Sequence, residues 1–214
     1  MKKIVAIDFD GTLADSFRLI NKAILEVCSE YDIKAEEKDL NKYWGPTEDG
    51  IFTMMLGPEK GAKAFARYLE IYEKYHDEYL FITPGITKIL DRLKKEGKTI
   101  VYLTGRSKET SEISLNKLGI ISYFDRYYYG SPKGVNKEKN LTKLCRDYSL
   151  EPKDVIYIGD SVADVISCRK AKVDILSVTF NHTNTFERLN SINPGNVCET
   201  VDELEKKLFD VVNN

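Results

Sequence analysis

Histidine, tryptophan and paired cysteine are scarce in this chain, and each shortage removes a class of chemistry. Only two histidines occur, His76 and His182, and neither sits in a Cys/His cluster, so an imidazole-based zinc site is not supported. The four cysteines, Cys28, Cys145, Cys168 and Cys198, form no C-x-x-C pair, which favours buried free thiols over a disulfide or a zinc site. No run approaches the ~20 apolar residues that span a bilayer. The amino-terminal run Ile4-Val5-Ala6-Ile7 reaches an acid at Asp8, too soon for a signal peptide. A cytoplasmic protein with no membrane partner is therefore expected. An excess of one charge sign is also missing: 32 Lys+Arg against 34 Asp+Glu leave a net charge of −2, which provides no basic stripe for nucleic acid. If a metal is bound, oxygen ligands must hold it.

The 214 residues suffice for one large domain or a core with a smaller insert. Short apolar runs recur at Ile4–Ile7, Ile100–Leu103, Val155–Ile158 and Ile175–Val178, with Asp125–Tyr129 as a further candidate. Amphipathic stretches at Ile86–Lys95, Ser107–Leu118 and Leu141–Tyr148 alternate with them. That alternation predicts an α/β fold whose strands form a buried, Rossmann-like parallel sheet. From Ser16 to Thr83 the pattern is helical, as in Phe17–Tyr31 and Glu59–Tyr79, with no convincing strand. Residues 16–83 are expected to form an all-helical cap inserted after the first strand. Residues 1–15 and 84–214 then make the catalytic core, re-entered at Pro84-Gly85.

Three of the apolar runs end in polar motifs: Asp8-Phe9-Asp10-Gly11-Thr12, Thr104-Gly105-Arg106-Ser107 and Gly159-Asp160-Ser161-Val162-Ala163-Asp164. In open parallel sheets ligands bind at the carboxyl ends of strands, so the three motifs should converge on one crevice. Asp8 and Asp10, two apart in an extended segment, face one side while Phe9 turns into packing. One carboxylate can attack phosphorus while a second protonates the leaving oxygen and then deprotonates water. Taken alone, the same pair could simply cap a turn. Asp160, likewise, could be no more than a helix N-cap, and Thr104 a helix cap. Four acids in one crevice would repel one another unless a cation were bound, and hard oxygen ligands at strand ends favour Mg²⁺. A lysine must also balance the phosphoryl charge, and Lys133, Lys137, Lys139 and Lys143 are the candidates.

These motifs, in this order and over nearly the whole chain, resemble those of the haloacid dehalogenase superfamily of phosphatases. The resemblance implies that Asp8 is the nucleophile and Asp10 the acid/base, which also offers its backbone carbonyl to Mg²⁺. It implies that Thr104 binds phosphate, that Asp160 is a metal ligand, and that Asp164 is a ligand or lies just behind one. Gly11, Thr12, Gly105 and Arg106 fall among the substrate-binding positions of the same motifs. An acid at position 10 disfavours dehalogenation. The insert resembles the helical C1-type cap of the phosphoglycolate phosphatase and phosphoglucomutase branch, and Trp44-Gly45-Pro46-Thr47 resembles the cap loop that contacts the leaving group there. Trp44 could equally be an ordinary packing aromatic. One departure concerns the third motif, where many members carry Lys-Pro and this chain has Pro132-Lys133. Lys137, 23 positions before Asp160 (160 − 137), is preferred, with Lys133 as the alternative.

The expected activity is Mg²⁺-dependent hydrolysis of a small phosphorylated metabolite through a phosphoaspartate on Asp8. A phosphomutase would keep every motif and differ in how the cap holds a sugar bisphosphate. A phospho-receiver module would lack the helical insert, and an inactive scaffold would not be expected to keep all four acids. Substrate identity and oligomeric state are not encoded in the motifs.

Overall fold

The computed structural model describes residues 2–181 and 183–213. Met1, His182 and Asn214 lie outside the described residues, and so does the expectation that His182 is no zinc ligand. The chain opens with β1 (Ile4–Ile7) and a two-residue strand β2 (Ala14–Asp15), followed by α1 (Phe17–Glu30), α2 (Glu37–Leu40), α3 (Glu48–Leu56) and α4 (Pro58–Tyr79). A second short strand, β3 (Phe81–Ile82), leads into α5 (Ile86–Lys95). Alternation then sets in: β4 (Thr99–Leu103), α6 (Lys108–Lys117), β5 (Arg126–Tyr128), α7 (Lys137–Asp147), β6 (Val155–Gly159), α8 (Val162–Ala171) and β7 (Asp174–Val178). Helix α9 (Phe186–Ile192), strand β8 (Val197–Cys198) and α10 (Val201–Asn213) complete the described chain.

Six strands form one sheet in the order β5-β4-β1-β6-β7-β8, every neighbouring pair parallel. The period of two along each strand divides the core into layers. Val5 and Ile7 pack with Ile100, Tyr102, Ile156 and Ile158 on one face, together with α5 and α10. Ile4 and Ala6 pack with Val101, Leu103, Val155 and Tyr157 on the other, under α7, α8 and α9. Both faces being covered, β1 is a continuous apolar run, and truncating Ile7 to Ala would cost about 2–5 kcal/mol. The first layer continues without a break into α1, α3 and α4 through Leu19, Ile20, Ile51, Phe52, Tyr68 and Tyr72.

Two features depart from the sequence expectations. Phe81–Ile82 pairs antiparallel with Ala14–Asp15, so the segment expected to lack a strand contributes one of two residues. A strand this short has too few residues to show a periodicity. Strand β8 extends the sheet beyond the four runs and the further candidate, Asp125–Tyr129, read as strands, and Val197–Cys198 is again too short to stand out. All four cysteines are buried free thiols. Among the described residues no helix is long and apolar enough to cross a membrane.

From β1 the chain passes to β4 and β5 on one side and returns to β6 on the other. The carboxyl ends of β1, β4 and β6 thus flank the point where the connections diverge, where open α/β sheets bind ligands.

Candidate active site

Asp8 follows the last residue of β1, and its N–H still donates to Ile158 O at 2.9 Å, so the carboxylate leaves the sheet from a fixed backbone. One carboxylate oxygen, Oδ1, accepts the N–H of Phe9 at 2.8 Å. The other, Oδ2, lies 2.5 Å from Nζ of Lys137, the first residue of α7. The same ammonium lies 2.5 Å from Oδ1 of Asp164. Lys133 is exposed and outside this cluster, so of the two lysines weighed from sequence the fold delivers Lys137.

Asp164 is the third residue of α8 and closes a capping box: its Oδ2 accepts the Ser161 N–H at 3.0 Å and the Ser161 hydroxyl at 2.7 Å. The N-cap is thus Ser161, and Asp160, one residue earlier, is free of that duty. Its carbonyl accepts the Asn184 amide at 3.0 Å. Gly11, at φ +71°, lets the first loop lie against Asp160; a Cβ there would overlap the Asp160 carboxylate. Gly159 plays the same part toward Asp164, whose Oδ2 would stand 2.7 Å from an added Cβ.

Asp8, Asp160 and Asp164 are all buried and can each turn an oxygen into a group spanning no more than 4.8 Å. Burial pushes the Asp8 carboxyl up to about 7; Lys137 opposes the rise, while Asp164 and Asp10 add to it. Burial, then Asp164 and Asp8, hold Asp160 well above the carboxylate range. For Lys137 burial disfavours the charge, but Asp164 and Asp8 outweigh it and keep the ammonium protonated. Asp8 and Asp164 share one ammonium, and no salt bridge among the described residues reaches the third acid, Asp160. A hard divalent cation fits this oxygen-only, negatively charged donor set.

Asp10 turns away from this cluster. Its Oδ1 accepts from the Ser16 hydroxyl and from Nη1 of Arg106, the latter at 3.0 Å. Arg106, read from sequence as a substrate contact, lines the cleft but is 3 % exposed, with Nη2 donating to the Tyr72 hydroxyl and the guanidinium 4.7 Å from the Phe9 ring centroid. Its Nε lies 3.9 Å from Oε1 of Glu48, a buried acid of α3 that also accepts the Ser107 N–H and the Thr110 hydroxyl, each at 2.8 Å. Burial opposes the Arg106 charge, and Asp10, Tyr72 and Glu48 more than restore it. Thr104 and Thr12, both fully buried, stand behind the wall of the cleft rather than on it. The Thr104 hydroxyl accepts the Arg106 N–H at 3.3 Å, whereas the Thr12 hydroxyl has no partner among the described residues.

A cleft of about 270 Å³ opens over these groups. Asp8, Asp10, Lys137, Asp160, Gly105 and Arg106 line its floor. Phe17, Ile20, Trp44, Pro46 and Ile51 form its roof, with Val135 at the side. Trp44 is 39 % exposed, its ring edge set against Phe17 at 6.0 Å between centroids, so it is no core aromatic. Sequence reasoning missed Ser16, Glu48, Tyr72 and Asn184. Only Asn184 carried a usable signal, because it follows another strand's carboxyl end.

A parallel α/β fold with carboxylates converging at strand ends defines a hydrolase-type scaffold. Residues 5–178 match the family described as haloacid dehalogenase-like hydrolase, and the chain belongs to that family. Among solved structures, a predicted phosphatase from Clostridium acetobutylicum aligns at TM-score 0.80 with 26% identity, covering 98% of this chain and 99% of that one. Phosphoglycolate phosphatase of Aquifex aeolicus is 26% identical over 79% of this chain and 81% of its own length. The pyrophosphatase PpaX of Oceanobacillus iheyensis is 21% identical over 94% of both chains.

Proposed function

We propose that the protein is a Mg²⁺-dependent phosphatase that acts on a small phosphorylated metabolite through a phosphoaspartate on Asp8. The observation that carries this reading is the pairing of Asp8 with Lys137 beside two further buried acids, with Asp10 held apart by Ser16 and Arg106. Relatives named phosphoglycolate phosphatase and pyrophosphatase support the substrate class, a small phosphorylated compound.

In the first step an Asp8 oxygen attacks phosphorus, the P–O bond to the alcohol breaks, and Asp10 gives its proton to the departing oxygen. In the second, Asp10 takes a proton from water, the water oxygen attacks phosphorus, and the Asp8–phosphorus bond breaks to release inorganic phosphate. Lys137 holds Asp8 in place and balances charge on the phosphoryl oxygens, and Thr104, buried behind Gly105, serves the phosphate through that loop by accepting the Arg106 N–H. Asp160, Asp8, the Asp10 carbonyl and Asp164, directly or from just behind, would hold Mg²⁺, which when bound screens the anionic nucleophile from the anionic substrate.

Residues 16–83 serve as the cap and residues 1–15 and 84–214 as the catalytic core, with the β2–β3 pair as the junction. Trp44 and Ile51 of the cap roof the cleft, and Glu48 and Tyr72 reach Arg106 of the core, which supports a lid that excludes water when seated. With p-nitrophenyl phosphate and Mg²⁺, release of the phenol should precede phosphate in the first turnover, and Asp8→Asn should lower turnover at least ~10³-fold. An Asp8→Asn protein keeping more than a tenth of wild-type activity would exclude the phosphoaspartate.

A further inference from the structure

The two ends of the cleft differ in chemistry, and the difference bears on what leaves after phosphorus is attacked. Six apolar side chains line the cleft, Phe17, Ile20, Trp44, Pro46 and Ile51 at the roof and Val135 at the side, with Glu48 and Asn136 as polar neighbours. Trp44 and Val135 keep 39% and 61% of their surface exposed there. Isolated exposed apolar side chains are ordinary, but here two of them face a cavity already walled by four more.

Among the described lining residues the cations are Lys137 and Arg106, and both are committed. Lys137 is held between Asp8 and Asp164. Arg106 is buried against Asp10 and Tyr72, with Glu48 3.9 Å from its Nε. A leaving group carrying a carboxylate or a second phosphoryl group would meet no free cation among the described lining residues. It would also approach Glu48, the one acid on that side of the cleft. Burying an unpaired anion is strongly unfavourable, whereas an apolar ring would remove the exposed faces of Trp44 and Val135 from water. The volume, about 270 Å³, is at the small end for ligand sites and suits a phosphoryl group with one ring.

We propose that the substrate is a phosphate monoester whose leaving alcohol is uncharged and carries one flat apolar ring seated between Trp44 and Val135. This rests on the phosphatase reading above. Compounds with a second negative charge, such as phosphoglycolate, pyrophosphate and sugar bisphosphates, are then poor substrates, although relatives of this chain carry names that point to two of them.

The test compares kcat/KM of the Mg²⁺-loaded full chain on benzyl phosphate, 2-phosphoglycolate and pyrophosphate. Benzyl alcohol and glycolate both leave through a primary alcohol oxygen protonated by Asp10, so the first two compounds differ mainly in ring against carboxylate. Benzyl phosphate should exceed the other two by at least ~10²-fold. In Trp44→Arg, which supplies the missing cation at a half-exposed position, the benzyl-to-glycolate ratio should fall at least ~10-fold. Equal or better turnover of phosphoglycolate or pyrophosphate by the wild-type protein would overturn the assignment while leaving the phosphatase reading intact, as would an unchanged ratio in a folded Trp44→Arg. No turnover of any of the three would overturn the assignment, and if p-nitrophenyl phosphate also stayed intact it would overturn the phosphatase reading itself.

Discussion

Removing the charge of Asp8 should stabilise the metal-free protein, and by an amount that grows with pH. The Asp8 carboxyl is held near 7, against 3.8 for an unperturbed one, chiefly because it is buried; Asp164 and Asp10 add to the rise and Lys137 only partly offsets them. A carboxyl whose pKa is raised on folding favours the folded state while protonated. That contribution is fully present below about pH 3.8 and is lost as pH rises through about 7. The difference of about 3 pH units, at 1.36 kcal/mol each, sets a ceiling of ~4 kcal/mol. Asp8→Asn presents a neutral group of the same size at every pH. In EDTA, urea unfolding should therefore show the variant gaining on the wild type between pH 4.5 and 8, by up to ~4 kcal/mol. Mg²⁺ should narrow or reverse the gap, since binding the wild type at a hundred times Kd adds about 2.7 kcal/mol. A wild-type-to-variant difference that stays flat from pH 4.5 to 8 without metal would refute the burial argument for Asp8.

Lys137→Ala should lose most activity and leave Asp8 and Asp164 without their shared ammonium, whereas Lys133→Ala, altering an exposed side chain, should be mild; phosphate-release assays on the two check the ranking. Arg106→Ala strands Asp10 and Glu48 and should cost about 3–5 kcal/mol by chemical denaturation, while Arg106→Lys keeps the charge, loses the fork to Asp10 and Tyr72, and should fold but turn over slowly. Trp44→Ala should change the order of substrates and raise KM with a small change in Tm; a loss of about 3–5 kcal/mol with the order unchanged would make it a packing residue instead.

How far the site could be read from sequence depended on how local each signal was. Asp8 and Asp160 stood out because each directly follows a buried strand, with Asp10 and Asp164 two and four residues further on, and a parallel strand buried on both faces writes itself as an apolar run. Strand ends are where the chain leaves the sheet, so polar residues there converge whatever the intervening helices do. The capping box of α8 is equally local, although it assigned the N-cap to Ser161 rather than to Asp160.

The direction of Arg106 was not legible in that way. Its place beside Thr104 and Gly105 put it among the substrate-binding positions and on the cleft, but Asp10, Tyr72 and Glu48 come from three other elements and together set the direction of the guanidinium. Spacing to Asp160 favoured Lys137 over Lys133 without excluding the latter, and it is the packing of α7 against the sheet that brings the Lys137 ammonium to Asp8 and leaves Lys133 in water. Residue type and spacing alone determined which groups stand at the strand ends and what chemistry they are suited to. Which cations remain free, and therefore what kind of leaving group the roof of the cleft accepts, was decided by tertiary contacts, because a buried charge takes its partner from whatever element the fold packs beside it.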